Sequence, residues 1–215
     1  MPPSPFSGRR RAPGEEFWKC DLEQGALRTG SGSRVAAFSS DWIGLLHISI
    51  IESFGESAQD VLYRAGYEWG LRDMARMHQA QPAREGAPNQ KPPTAETKSS
   101  LESWWQPLTA SGWSACAFDL SPWEQRGMAF ADLKNSVVAA ALEGADQPVC
   151  HLFAGLFAGA VSYLARAERH AVEIECRALG HASCRFVIGP GPEIDSAESW
   201  RQQGASVAEI VRRLS

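Results

Sequence analysis

The chain has 215 residues, 44% of them hydrophobic, and a formal net charge of −4. This is enough apolar material for one substantial globular domain, or for one domain with an appended segment. The charge gives no electrostatic footprint for nucleic acid, because the one basic cluster, Arg9-Arg10-Arg11, lies in a stretch rich in Pro, Ser and Gly that is typical of a solvated tail.

The N-terminal composition also bears on the compartment. Residues 1–16 cannot bury enough surface to order themselves, so we expect a disordered arm there. No apolar segment typical of a secretory signal follows the start, and no run of about 18 apolar residues predicts a membrane span. The five cysteines are an odd number and are scattered, which is not typical of a disulfide framework. We therefore expect a cytoplasmic protein.

Two consecutive helices are predicted in the first part of the chain. Apolar residues at helical spacing begin at Asp41 and end at Gly55, and a second helical pattern covers residues 56–77. Gly66 and Gly70 lie inside the second pattern, where each costs about 1 kcal/mol relative to alanine. Their small size therefore predicts the close approach of another element.

The middle of the chain contains a predicted loop, a short helix and two strands. Residues 79–98 include four prolines and almost no large apolar groups, which predicts a flexible loop. Residues 99–112 are typical of a short helix that ends at a glycine. Two short strands are predicted at 113–120 and 127–133, on either side of a turn at Pro122.

A third apolar helix is predicted from Pro148 onward, since proline is common at the start of helices. Gly155 and Gly159 lie one turn apart in it, and we expect them to let the helix lie close to the sheet. Its apolar face consists of Phe153, Leu156, Phe157, Ala160 and Leu164.

Residues 171–178 and 184–189 alternate around a turn, as an antiparallel hairpin does, and residues 191–215 are a polar tail with a helical end. This order of elements predicts an α+β fold in which helices pack on one side of an antiparallel sheet. We assign residues 17–190 to the folded domain.

One short stretch, residues 172–184, combines metal-ligand residue types. Glu173, Glu175, Cys176 and Cys184 lie within it, and the hairpin turn brings the two cysteines near each other. A zinc site needs about four converging ligands, for which thiolate, imidazole and carboxylate are all suitable. Cys150, near the start of the third apolar helix, is the candidate for the remaining ligand.

Strand geometry complicates this interpretation. Glu173 and Cys176 are an odd number of residues apart and would lie on opposite faces of a regular strand, so the site requires a bulge or a strand end near Cys176. Glu175 has the same parity problem, and His181 or His151 is a substitute ligand. The alternative is a plain hairpin with half-buried cysteines, whereas a redox pair is less favoured.

The motifs "PVC", "EIEC" and "GHASCRF" together resemble the 4-vinyl-reductase-like domain family, which includes the N-terminal sensory domains of phenol- and xylene-responsive enhancer-binding activators. The segment "LLHISIIESFGESAQDVLYRAGYEWGLRD" resembles the first helices of those domains. The resemblance covers residues 41–78 and 100–189. It implies a fold related to small vesicle-tethering (TRAPP-like) subunits, a homodimer, and a structural zinc ion. The implied zinc ligands are Cys150, Glu173, Cys176 and Cys184.

The chain departs from the phenol sensors at the positions that hold the phenol hydroxyl. Those sensors carry a Trp shortly before the "PVC" segment and a His upstream. Here the comparable region is "MAFADLKNSVV", and no His lies between residues 79 and 150. Recognition of a phenol is therefore not implied.

We expect a domain that binds a small hydrophobic or aromatic ligand or senses it, stabilised by zinc and without catalytic residues, since four protein ligands leave no open metal position. The candidate pocket residues are Trp104, Trp105, Trp113, Phe118, Phe130, Phe153 and Phe157. The alternative is a 4-vinyl reductase of bacteriochlorophyll precursors or a pigment carrier, although no dinucleotide fingerprint is present. A pure interaction protein is the third class.

Overall fold

The computed structural model describes residues 18–29, 32, 34–79 and 94–214. The predicted arm at residues 1–16 lies outside the described residues, as does most of the predicted loop. The described chain begins with an antiparallel three-stranded meander that the sequence analysis did not predict. Its strands are β1 (Trp18–Asp21), β2 (Ala26–Thr29) and β3 (Arg34–Val35).

The two predicted N-terminal helices are present as α1 (Ser40–Phe54) and α2 (Ala58–Gln79), separated by one turn of 3₁₀ helix. The Ser39 hydroxyl caps α1 by accepting a hydrogen bond from the backbone N–H of Trp42 at 3.2 Å. Gly55 ends α1 with a φ of 54°, a conformation that favours glycine. No helix in the described part of the chain is both long and apolar enough to cross a membrane.

Helix α3 (Thr94–Ala110) begins earlier than predicted. Residues 94–98 were assigned to the flexible loop, and this part of the prediction is wrong. The first turn is held because the backbone N–H of Thr94 donates to the carboxylate of Glu124 at 3.0 Å and because Thr97 is fully buried. A polar sequence without large apolar residues gave no sign of either contact.

The main sheet is antiparallel, with the strand order β4-β5-β7-β6, and confirms the predicted α+β class. The helix that follows β5 and the connection to α6 bring Cys150 to the start of α6, which begins three residues after the predicted Pro148. The elements are β4 (Ala115–Asp119), α4 (Trp123–Arg126), β5 (Ala129–Lys134), α5 (Val137–Ala141), α6 (His151–Ala165), β6 (His170–Glu175), β7 (Cys184–Gly189), α7 (Gly191–Gln202) and α8 (Val207–Leu214).

Strand alternation divides the apolar side chains between two cores. The larger core lies between the inner face of the sheet and helices α2, α3 and α6, and it includes Leu133 and Phe186. The structure adds a second, smaller helical layer on the outer face, where α7 and α8 pack over Phe130 and Val187. The tail predicted for residues 191–215 therefore contains two helices that cover the sheet.

Four glycines place the backbones of α2 and α6 in direct contact. A Cβ atom at Gly66 would lie 2.0 Å from the carbonyl oxygen of Leu152, and one at Gly155 would lie 1.9 Å from that of Tyr63. The close approach predicted for Gly66 is thus explained by α6. The prediction that Gly155 and Gly159 face the sheet is wrong, because both face α2 and Phe157 of α6 contacts the sheet residue Phe186 instead.

Candidate functional site

Four buried side chains converge between the start of α6 and the β6–β7 hairpin. They are Cys150, Glu173, Cys176 and Cys184, and their potential ligand atoms all lie within 4.8 Å of one another. Each residue is at most 4% exposed. We call this group the Cys3Glu cluster. Its members are the residues that the family resemblance implies as zinc ligands.

A β-bulge in β6 allows Glu173 and Cys176 to share a face. Glu173 pairs with Phe186, whereas Glu175 pairs with Arg185, the next residue of β7 in the antiparallel register. One extra residue therefore lies in β6, and Ile174 and Glu175 both point to the outer side. Cys176 returns to the inner side with Glu173. The bulge required by the sequence analysis is present.

The substitute ligands considered from the sequence lie outside the cluster. Glu175 is on the outer face, where its carboxylate lies 3.3 Å from the Nδ1 atom of His181. His151 is the first residue of α6, and burial lowers its pKa. Neither histidine belongs to the group of converging ligand atoms.

Hydrogen bonds hold each member of the cluster in place. The backbone N–H of Cys150 donates to Oε2 of Glu173 at 2.9 Å, and that of Arg177 donates to Sγ of Cys184 at 3.3 Å. The backbone of Val149 hydrogen-bonds to Cys176. The Ser136 hydroxyl lies 3.6 Å from Sγ of Cys150.

The electrostatics of the metal-free cluster oppose full ionisation. Burial and the neighbouring Cys176 raise the pKa of Glu173 to about 8, and burial raises the pKa of Cys150. Hydrogen bonds from Cys150 and Cys184 lower the pKa of Cys176. One thiolate therefore forms readily and suppresses ionisation of its neighbours. Oε1 of Glu173 is buried and has no hydrogen-bond partner among the described residues.

This donor set fits a zinc ion. Three sulfurs and one carboxylate oxygen provide the four ligands that structural zinc sites use. A divalent cation would also supply the positive charge that four ionised side chains need in a buried site, and it would give Oε1 of Glu173 a partner. Because all four positions come from buried protein side chains, the arrangement is the closed type, without a vacant coordination position.

Six of the seven aromatic residues predicted to line a pocket contact one another in the larger core. Trp105 stacks on Phe157 at a centroid distance of 4.9 Å, and Phe118 meets the same ring at 5.8 Å. Indole N–H groups fix two of them, since Trp104 donates to Asp73 at 3.0 Å and Trp105 donates to the carbonyl of Ser114 at 3.1 Å. Phe153 and Trp113 complete this aromatic cluster.

Phe130 lies apart from the other six. It points to the outer face of the sheet, is 1% exposed, and packs under α7 and α8. The guanidinium of Arg185 lies 5.4 Å from its ring centroid. Residues on alternate positions of β5 face opposite ways, which is why Phe130 does not join the aromatic cluster.

Trp113 also lines a small surface pocket of about 110 Å³. The pocket lies between the start of α1 and the turn after α3, and we call it the Trp113 pocket. Its walls are formed by Phe38, Ser40, Ile43, Ser111, Gly112, Trp113 and Val137. The sequence analysis missed Phe38, although the spacing of Phe38 and Trp42 is a signal for the stack that they form at 4.4 Å.

Ser136 was also missed by the sequence analysis. It precedes the helical run "VVAAA" of α5 and caps this helix by accepting a hydrogen bond from Ala139 N–H at 3.2 Å. A serine directly before an apolar run is a helix-start signal. Its position beside Cys150 depends on how α5 packs, which no local pattern contains.

The comparisons with known proteins agree with the motif resemblance. Residues 130–190 match the family model of the vinyl-4-reductase domain. No curated protein matches the sequence significantly. Among solved structures, the phenol-responsive sensory domain of the transcription activator PoxR, crystallised with phenol, superposes with a TM-score of 0.61 at 19% identity, covering 86% of this chain and 87% of that one.

Two further structures are more distant. A vinyl-4-reductase family protein from Methanocaldococcus jannaschii has a TM-score of 0.47 at 16% identity, covering 72% of this chain and 82% of that one. A trafficking protein particle complex subunit 3 from Naegleria fowleri, covalently bound to palmitic acid, has a TM-score of 0.47 at 11% identity, covering 70% and 93%. The PoxR superposition carries the fold assignment, and the segment with the Cys3Glu cluster, residues 130–190, belongs to the vinyl-4-reductase domain family.

Proposed function

We propose that this chain is a sensory or ligand-binding domain for a small hydrophobic or aromatic molecule, and that a structural zinc ion held by the Cys3Glu cluster stabilises it. The observation that carries the metal part is the convergence of four buried ligand atoms within 4.8 Å. The match to the vinyl-4-reductase domain and the shared fold with a phenol-responsive domain support the sensory part.

The zinc ion would act by joining separate parts of the chain. Cys150 precedes α6, Glu173 and Cys176 belong to β6 and its end, and Cys184 begins β7. A metal ion with these ligands fixes the start of the helix against the hairpin, and its binding free energy becomes folding free energy. The closed donor set favours this structural role over hydrolysis by a metal-bound water.

We assign the ligand to the Trp113 pocket. Its volume of about 110 Å³ is below the ~300 Å³ of pockets that hold drug-sized molecules, so it suits a single aromatic ring. Phe38, Ile43, Val137 and Trp113 give it apolar walls, and Ser40 and Ser111 add hydroxyl groups. A wider surface depression of about 510 Å³ beside residues 178–180 has Leu179 as its one large apolar side chain.

The small size of the Trp113 pocket favours this proposal over a tetrapyrrole reductase or pigment carrier. A tetrapyrrole macrocycle needs a far larger apolar site than one for a single ring. On the inner face of the sheet, Trp105, Phe153 and Phe157 pack against one another in the volume that such a ligand would take.

Metal analysis tests the first part of the proposal. We expect mass spectrometry of the untagged protein to find about one zinc ion per chain, and none in a Cys176→Ser/Cys184→Ser variant, which also unfolds at lower temperature. Cys116→Ser is the matched control, because Cys116 lies on β4 outside the cluster. A wild-type protein that folds normally without metal would refute the zinc centre.

Titration with toluene and with phenol tests the second part. We expect Trp113→Ala to weaken calorimetrically measured binding about tenfold, a loss of ~1.4 kcal/mol. Trp200→Ala is the control, because Trp200 packs in the smaller outer core. Equal affinities of the wild type and Trp113→Ala would rule out the Trp113 pocket as the ligand site.

We further propose that the chain forms a homodimer through α1. Seven large apolar side chains are exposed on and next to this helix, with exposures of 39% to 63%. We call them the α1 apolar face: Phe38, Trp42, Leu45, Leu46, Ile48, Ile51 and Phe54.

The size of this face supports a second copy of the chain as its partner. Seven side chains that are each about half exposed, with roughly 200 Å² of surface apiece, present about 700 Å² of apolar area. A standard interface buries about 800 Å² per partner, whereas soluble monomers rarely expose a contiguous apolar patch larger than a few hundred Å². A two-fold axis across α1 would bury the same patch of both copies.

A further inference from the structure

Ser136 lies in the turn between β5 and α5 and is fully buried. Its hydroxyl contacts two groups. It accepts a hydrogen bond from the backbone N–H of Ala139 at 3.2 Å, and its oxygen lies 3.6 Å from Sγ of Cys150. Because Ala139 N–H occupies a lone pair, the hydroxyl proton is available for the sulfur.

The backbone holds Ser136 firmly in this place. Asn135, directly before it, has a φ of 55°, and the N–H of Val137, directly after it, donates to the carbonyl of Trp113 at 2.9 Å. The hydroxyl therefore reaches Cys150 without any need for a change in the backbone.

The loaded cluster needs hydrogen-bond donors of this kind. Three thiolates and one carboxylate carry four negative charges, of which a divalent ion neutralises two. Donors to the ligand atoms stabilise the remaining charge in a buried site. Glu173 and Cys184 receive backbone N–H groups, which no side-chain substitution removes. Among the described contacts of the cluster, Ser136 supplies a side-chain donor.

We infer that Ser136 is a positioning residue of the metal centre: its hydroxyl donates to the thiolate of Cys150, fixes the orientation of that ligand and slows loss of the metal. The inference rests on the proposed zinc centre and extends it by a residue outside the four ligands. It separates the role of Ser136 toward Cys150 from its role as the cap of α5.

The test compares zinc release to a chromogenic chelator from the wild-type protein and from variants. Ser136→Ala removes the hydroxyl and is expected to release zinc about 10–100-fold faster, the usual effect of losing such a partner. Ser136→Gly removes the hydroxyl while costing the helix cap only a few tenths of a kcal/mol, so it is the second variant if the alanine protein folds poorly. Ser136→Thr retains a hydroxyl and is expected to restore slow release.

Ser39→Ala is the matched control, because Ser39 caps α1 in the same way and is not part of the cluster. It should leave zinc release unchanged. The cobalt-substituted proteins give a second readout: the thiolate-to-cobalt absorption band should shift in Ser136→Ala and Ser136→Gly, which the loss of a cap alone would not cause.

The outcomes distinguish the two proposals. Stoichiometric zinc in every protein, with equal release rates and an unchanged cobalt band, would overturn the role of Ser136 and leave the zinc centre standing. A wild-type protein without metal would overturn the zinc centre and the role of Ser136 together.

Discussion

The backbone N–H of Cys150 donates a hydrogen bond of 2.9 Å to the carboxylate of Glu173, so the residue before α6 is tied directly to β6. The other carboxylate oxygen is buried and has no partner among the described residues. One oxygen of Glu173 thus has a structural role, and the second is free to bind an ion.

Replacement of Glu173 by glutamine is expected to separate these two roles. The amide oxygen of Glu173→Gln can still accept from Cys150, so the fold is retained, whereas loss of the charge should weaken zinc binding at least tenfold. Competition with a chelator of known affinity measures this change. Zinc affinity of the wild type should also rise between about pH 6 and about pH 8, since the pKa of Glu173 is raised to about 8 and its proton must leave when the metal binds. Unchanged affinity in the glutamine variant would exclude the carboxylate as a ligand.

The backbone contact between α2 and α6 predicts an unusual sensitivity to one methyl group. Gly155→Ala would place Cβ 1.9 Å from the carbonyl of Tyr63, so the helices must separate. We expect a loss of at least ~2 kcal/mol in the free energy of unfolding by urea, although alanine is the better helix former. Gly191→Ala is the control, because its added Cβ would meet His170 at 3.5 Å, an ordinary contact. A neutral Gly155→Ala would contradict this packing.

His47 predicts a loss of stability in mild acid. Burial lowers its pKa, its Nδ1 atom lies 2.8 Å from the carbonyl of Ile43, and its Nε2 has no partner among the described residues. Because the folded-state pKa is below the unfolded value of ~6.5, the contribution of His47 is present above that pH and is lost as the pH falls. In His47→Leu, the free energy of unfolding should decrease less between about pH 7 and about pH 5. Ser49→Leu, at an exposed position of the same helix, should keep the wild-type slope. Equal slopes in all three proteins would remove His47 as the cause.

The α1 apolar face predicts a change of oligomeric state on substitution. Leu45 is 63% exposed and Phe54 is 54% exposed, so charged residues at both positions should not disturb the core. Light scattering after size exclusion is expected to give a dimer for the wild type and a monomer for Leu45→Lys/Phe54→Lys. Glu52→Lys, on the same helix and outside the apolar face, should remain dimeric. A monomeric wild type at micromolar concentration would refute the dimer.

The sequence motifs were sufficient to find the cluster, but not to explain its geometry. Cysteine and glutamate spacing pointed to Cys150, Glu173, Cys176 and Cys184, and strand parity showed that a bulge was required. Which residue the bulge would displace depends on packing, since Ile174 goes to the outer core and Glu175 to His181. Periodicity alone contains no information about either partner.

The wrong predictions share a physical cause. Gly155 and Gly159 indicated close packing, but small residues do not specify which neighbour approaches. The turn of α3 before residue 99 is stabilised by Glu124, thirty residues later in the chain. The meander at residues 18–35 and helix α7 have weak apolar patterns, and their positions follow from contacts with other elements.

The pairing of Leu133 with Cys184 has a consequence for the order of folding. This pair lies at one end of the contact between the two central strands, β5 and β7, and joins residues roughly 50 positions apart in the chain. Helix α6 and β6 must be made before that contact can close, and β4 can only add to the edge of β5. Assembly of the sheet therefore waits for one long-range encounter, at the cysteine that also completes the Cys3Glu cluster, and slow formation of such non-local contacts is what limits the folding rate of β-rich chains.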